Sequence, residues 1–161
     1  MADFSLDDLK TLRERLGTGM VETKNALVEA AGDLEKATEL LRLRGAKSNA
    51  KRSDRSTSEG LVAAVESATA TTLIELACET DFVAKSDKFI ALGNTVLQAL
   101  ADSGAETVVA ALSTKVGSGT VESTIVDEAA ILGEKVELRR LARIAGDKFE
   151  IYLHRTSKDL P

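Results

Sequence analysis

Gly60-Leu61-Val62-Ala63-Ala64-Val65-Glu66-Ser67-Ala68-Thr69-Ala70-Thr71-Thr72-Leu73-Ile74-Glu75-Leu76-Ala77-Cys78 is the stretch on which the fold class turns. Two apolar runs, 61–65 and 71–78, flank a turn-forming stretch at 67–70. Short β-branched runs separated by a polar turn pair as strands, because branched side chains fit a pleated surface. Ile74, Leu76 and Cys78 then share one face, with Glu75 and Glu79 on the other. The chain continues as Glu79-Thr80-Asp81-Phe82-Val83-Ala84-Lys85, and a helical pattern starts just beyond it. Ser86 caps that helix, whose apolar stripe is Phe89, Leu92, Val96, Leu97 and Leu100. An aromatic and a carboxylate therefore meet at a corner between a strand and a helix. With only four Phe, one Tyr and no Trp in the chain, a phenylalanine at a corner is expected to touch something.

Downstream, a short helix is expected near 106–112 and another over 121–132, capped by Thr120 and stopped by Gly133. Val136, Leu138, Ala142 and Ile144 alternate with Glu137, Arg139, Leu141 and Arg143 as a half-buried strand. Gly146-Asp147 reads as a turn, and Phe149, Ile151 and Leu153 alternate with Glu150, Tyr152 and His154 as a return strand. A strand begun so near Pro161 needs partners, so the fold is expected to be truncated before a second core subdomain.

Upstream, residues 5–45 read as three short helices. Ser5 and Asp8 form a capping-box variant, and Leu6, Leu9, Leu12 and Leu16 make the first stripe. Gly17 stops it. Met20 opens the second helix, with Thr23, Leu27 and Ala31; Gly32 closes it and Asp33 caps the third. Leu34, Ala37, Leu40 and Leu41 form the third buried face, and Gly45 is expected to end it. The next stretch, rich in Ser with Lys47, Lys51, Arg52 and Arg55, reads as a linker, helical at its start and mobile afterwards. The expected organisation is α+β: a three-helix module at 1–45, a linker at 46–59, a core subdomain at 60–145 with antiparallel strands and helices on one side, and the start of another at 146–161.

The 161 residues suit one domain or a domain plus a small module, and carry a net charge of −5. An acidic body argues against direct nucleic-acid binding, which needs a basic face. The basic linker has no interleaved aromatics and reads as a solvated tether. No apolar run approaches the ~20 residues that span a bilayer, and Met1-Ala2-Asp3-Phe4-Ser5 lacks a signal pattern. No membrane association and a cytoplasmic location are expected. The single Cys78 excludes an internal disulfide and fits a reducing compartment. It lies on an apolar strand face, where a thiol is unreactive. The sequence has no Gly-rich phosphate loop, nucleophile elbow or paired-His motif, and one His with one Cys cannot build a typical zinc site. No enzyme activity, cofactor or metal is expected.

Three separated segments carry a resemblance. Thr80-Asp81-Phe82-Val83-Ala84 resembles the Thr-Asp-Phe-Val-Ala signature of the elongation factor Ts family, bacterial nucleotide exchange factors for elongation factor Tu. Leu12-Arg13-Glu14-Arg15-Leu16-Gly17-Thr18-Gly19-Met20 resembles that family's Leu-Arg-Glu-Arg-Thr-Gly-Ala-Gly-Met run, departing at Leu16 and Thr18. Leu132-Gly133-Glu134-Lys135-Val136 resembles its hydrophobic-Gly-Glu-Asn element ahead of Arg139-Arg140, departing at Lys135. The resemblance implies that Asp81, Phe82 and Val83 enter the partner's nucleotide-binding domain near its magnesium site. It further implies that Arg13, Met20, Val21, Leu132, Gly133 and the lone His154 face the same partner. The three-helix unit itself looks like a ubiquitin-associated module, a fold that hosts several partners. Two functions stand: nucleotide exchange on elongation factor Tu, or a non-enzymatic protein-binding scaffold.

Overall fold

The computed structural model describes residues 4–154. Its order is α1 (Leu6–Leu16), α2 (Met20–Glu29), α3 (Leu34–Ala50), β1 (Glu59–Glu66), β2 (Ala70–Cys78), α4 (Asp81–Ala84), α5 (Asp87–Ser103), α6 (Val108–Leu112), β3 (Lys115–Val116), β4 (Gly119–Thr120), α7 (Val121–Leu132) and β5 (Glu137–Ala145). The fold is α+β, with three helices followed by a three-stranded antiparallel sheet, β1-β2-β5, and its helices.

The caps set the first three helices. The Ser5 hydroxyl accepts the Asp8 N–H at 3.0 Å, and the Asp8 carboxylate accepts the Ser5 N–H at 2.8 Å, a reciprocal pair that satisfies two free donors. Gly17 ends α1 in the left-handed conformation at φ +61°. Gly32 closes α2 by donating to the Leu27 carbonyl at 2.8 Å. The Asp33 carboxylate accepts the Glu35 and Lys36 N–H groups at 3.0 Å each. Leu9, Leu12, Ala26, Leu27, Ala30, Ala37 and Leu41 are buried together. Leu6 and Leu34, at the helix starts, are exposed instead.

Gly45 does not end the third helix. α3 runs on to Ala50, because α7 lies against it. A Cβ at Gly45 would sit 3.0 Å from the Ala130 Cβ, and Arg42 pairs with Asp127 at 3.6 Å. Glycine costs about 1 kcal/mol inside a helix, but here it permits close helix–helix approach. The expected mobility beyond α3 is also corrected. Thr57 is buried, and the Lys135 ammonium donates to the Ser53 and Arg55 carbonyls at 2.8 and 3.1 Å. Arg139 donates to the Thr57 carbonyl and hydroxyl. The segment is a strap bound to the β5 side of the sheet.

β1 and β2 pair around the expected turn, where Ser67 N–H meets the Ala70 carbonyl at 2.7 Å. Ile74, Leu76 and Cys78 face the helices and are buried with Phe89, Leu92, Val96, Leu97, Leu100, Ile125 and Ala129. β5 departs from simple alternation. Its register against β2 shifts between Glu75 and Leu76, so Glu75 pairs with Arg140 and Leu76 with Leu138, leaving Arg139 as an extra residue. Such a bulge reverses the side-chain phase beyond it. Leu141 therefore packs on the core, whereas Ala142 and Ile144 are exposed, opposite to the simple pattern. The expected return strand at 149–153 is absent: no strand is formed between Gly146 and His154. The Phe149 ring lies against Gly146 instead. The remainder of that expected segment, 155–161, lies outside the described residues. The two-stranded β3–β4 hairpin had no sequence expectation.

Two strap-side carboxyls tie stability to pH. The Thr57 hydroxyl, followed by Arg139, holds the Glu137 carboxyl below the ordinary glutamate value of 4.5. The Lys135 backbone N–H, aided by Arg55, does the same for Glu79. A carboxyl depressed in the fold adds stability above its unfolded value, and that stability is lost as pH falls through the lower folded value. Urea melts across acid pH are expected to show stability declining below about pH 4.5, with a shallower decline in Glu137→Gln. Equal slopes in the two proteins would remove Glu137 from that linkage.

Candidate partner-binding site

The corner between β2 and α5 holds the exposed aromatic. β2 ends at the buried Cys78, and Thr80 caps the single-turn helix α4. The Cys78 thiol is pushed up to about 12 by burial, with Glu134 adding to the effect. It is therefore no nucleophile near neutral pH. Val83 is half-buried and Ala84 fully buried, so α4 is pinned by its second half. Its first half points outward. Phe82 is 83% exposed, whereas Phe89, seven residues on, is 0% exposed in the core. Asp81 pairs with Lys85 at 3.1 Å across the turn.

A crossed pair of carboxylates fixes this corner. Glu134, just beyond the left-handed Gly133 at the end of α7, accepts the Glu79 and Thr80 N–H groups at 3.1 and 3.0 Å on one oxygen. Its other oxygen accepts the Thr80 hydroxyl proton at 2.6 Å. In return, Glu79 accepts the Lys135 N–H at 2.6 Å and pairs with Arg55 at 3.3 Å. The end of α7, after Leu132 and Gly133, is thereby tied to Glu79 and Thr80, the residues that lead into Asp81 and Phe82.

Arg13, Met20 and Val21 are exposed on the helical bundle, and they take no part in the corner's hydrogen bonds. Their link to it is indirect: the α1–α2 turn rests on α7 one residue before Leu132. A Cβ at Gly17 would lie 2.5 Å from the Ile131 side chain. A cleft of about 450 Å³ runs along this junction, between Arg15, Thr18, Glu22, Arg52, Asp127 and their neighbours. His154 is not gathered in. β5 delivers the chain to the turn end of the sheet, away from Phe82, and His154 bonds the Tyr152 hydroxyl at 2.9 Å. Glu79, Glu134, Arg55 and Lys135 were not singled out as site residues from the sequence. One signal was available: a carboxylate placed at the negative end of a helix dipole needs compensating donors.

Among the described residues, no cluster of His, Cys, Asp and Glu could hold a metal, and no helix is long and apolar enough to cross a membrane. The corner thus presents an exposed phenyl ring on a short helix braced from the end of α7.

The model for the family "Elongation factor TS" matches residues 79–159, starting at the corner itself. Three curated relatives named elongation factor Ts align with the whole chain. That of Leifsonia xyli subsp. xyli is 67% identical, that of Clavibacter sepedonicus 66% and that of Tropheryma whipplei 52%. The chain spans 59%, 58% and 58% of their respective lengths. The chain belongs to the elongation factor Ts family.

Proposed function

We propose that this chain promotes GDP release from elongation factor Tu during translation elongation, in the cytoplasm, by presenting Asp81 and Phe82 to the partner's nucleotide and magnesium site. The observation that carries this reading is the 83% exposure of Phe82 on a braced corner. The exchange protein binds the empty partner more tightly than the loaded one. By linkage, whatever factor it removes from GDP affinity, GDP removes from its own. Burying one phenyl ring is worth ~1.5–3 kcal/mol, which at ~1.4 kcal/mol per decade is one to two decades of coupling. The Asp81 carboxylate adds repulsion towards the bound diphosphate. Met20 and Val21, both exposed, give the bundle a second contact, with Arg13 alongside, and Leu132 and Gly133 add a third at the end of α7.

The test is stopped-flow release of fluorescent GDP from preloaded elongation factor Tu. Release is expected to speed up with added chain and then saturate. Release at the spontaneous rate at every concentration sinks the reading. It would favour a second reading, a protein-binding scaffold built on a ubiquitin-associated-like bundle, for which the exposed Met20 and Val21 are the supporting observation.

A further inference from the structure

We infer that Glu134 is a positioning residue: its carboxylate sets the proton arrangement of the Thr80 cap and so fixes the direction in which Phe82 points. This deepens the exchange reading and, in its kinetic arm, rests on it.

α4 is one turn long. A helix that short has too few hydrogen bonds to hold itself, so outside contacts must hold it. Its own cap is weak: the Val83 N–H reaches the Thr80 hydroxyl at 3.4 Å, beyond the usual range. The Thr80 hydroxyl has one proton, and it goes to Glu134 at 2.6 Å. That donation fixes the hydroxyl rotamer with a lone pair towards Val83 N–H, so Glu134 steadies a cap that is otherwise long. The same carboxylate takes the N–H groups of Glu79 and Thr80, the last two residues before Asp81. Charge-assisted bonds of this kind are roughly twice as strong as neutral ones. Three donors from the corner thus converge on one side chain carried by a different element.

The reciprocal bond from Lys135 N–H to Glu79 makes the corner and the α7 terminus one body. Lys135 also holds the strap at Ser53 and Arg55. Without Glu134, the backbone donors turn to water, the Thr80 hydroxyl rotates freely, and α4 pivots about its buried end at Ala84. Phe82 then samples several directions and only a fraction of encounters seat it. An ångström of misplacement can cost about 10²-fold in a site of fixed geometry.

The experiment has two arms, both using the full chain. In the free protein, amide hydrogen exchange is measured for parent, Glu134→Ala and the isosteric Glu134→Gln. Exchange at Thr80 and Val83 is expected to accelerate in Glu134→Ala, with β2 and α5 still protected; Glu134→Gln should fall between, as its carbonyl still accepts. Unchanged exchange at Thr80 and Val83 overturns the inference whatever the function proves to be. In the kinetic arm, saturating GDP release is compared for parent, Phe82→Ala, Glu134→Ala and the double variant. Glu134→Ala is expected to lower the saturating rate about tenfold, within that misplacement cost, and Phe82→Ala is expected to add little once Glu134 is gone. Full additivity in the double variant overturns positioning, because the ring would act independently of its brace. Where Phe82→Ala does lower the rate, a parent-like rate in Glu134→Ala overturns it too. If Phe82→Ala releases GDP like the parent while the amides respond as expected, it is the exchange role of the ring that fails and the brace that stands.

Discussion

Phe82→Ala is expected to cut the GDP release stimulated by this chain by roughly one to two orders of magnitude, the equivalent of one buried phenyl ring. Its stability should stay within about 0.5 kcal/mol of the parent, as for most surface changes. The physical reason is the contrast with Phe89. Both are phenylalanines near the start of a capped helix, yet one is 83% and the other 0% exposed. Phe89→Ala removes a ring packed among Ile74, Leu92, Val96 and their neighbours, which costs ~3–5 kcal/mol in a well-filled core. The same chemical change thus falls on function at one site and on folding at the other. Stopped-flow release and urea melts on both variants read out the two effects. A Phe82→Ala protein that melts early but exchanges normally would place that ring in the structure's support rather than in its contact with a partner.

How far the sequence announced this structure depends on the range over which each signal acts. Caps and stops were legible because they are settled within three or four residues. Ser5 with Asp8, Ser86 and Thr120 all cap as their side chains imply, and Gly17 and Gly133 end helices in the left-handed region. The strand pair was legible for the same reason, since its turn is four residues long. Signals that arise from a distant partner were hidden. Gly45 reads as a stop until Ala130 is known to lie against it. The bulge at Arg139 is hinted at by Arg140 and Leu141, which fall out of phase with the alternation, but only the pairing with Glu75 and Leu76 places it. Ser53, Arg55 and Thr57 look solvated until Lys135 and Arg139 reach them.

The site divides along the same line. Phe82 could be singled out from its type and place. Its brace was only hinted at, by a carboxylate following the Gly133 stop, because Glu134 finds its donors more than fifty residues away. The arrangement has a consequence for how the module works. Glu79 ties to the strap through Arg55, and Lys135 ties to it through two carbonyls. The connection that carries the helical bundle is therefore bolted to the corner that carries the ring. A partner that engages Met20 and Val21 on the bundle meets Phe82 at a set distance rather than at the end of a loose tether.

Gly17→Ala is expected to loosen this arrangement at its other anchor and to destabilise the protein more than the same change at Gly133, the other left-handed helix stop beside α7. Two costs add there. The backbone sits at φ +61°, a conformation that costs an L-residue roughly 1–2 kcal/mol. The new Cβ would also lie 2.5 Å from Ile131 Cγ2 and 2.9 Å from its Cβ. The second of these atoms is anchored to the α7 backbone and cannot swing aside, so relief requires the bundle to move; overpacking of this kind costs about 1–3 kcal/mol. Gly133→Ala is the natural control. Its φ of +77° imposes the same strain, but no atom lies within 4 Å of the added carbon. Urea melts should therefore rank parent above Gly133→Ala above Gly17→Ala. Ile131→Ala placed on the Gly17→Ala background should recover only the part of the clash made by the Ile131 γ carbons, leaving the contact at Cβ and the backbone strain. Equal destabilisation by the two glycine changes would mean that the α1–α2 turn does not rest on α7. The functional readings then separate as well: Gly17→Ala should weaken partner binding by displacing Met20 and Val21, whereas Gly133→Ala should weaken it only if a partner's backbone approaches that bare helix end.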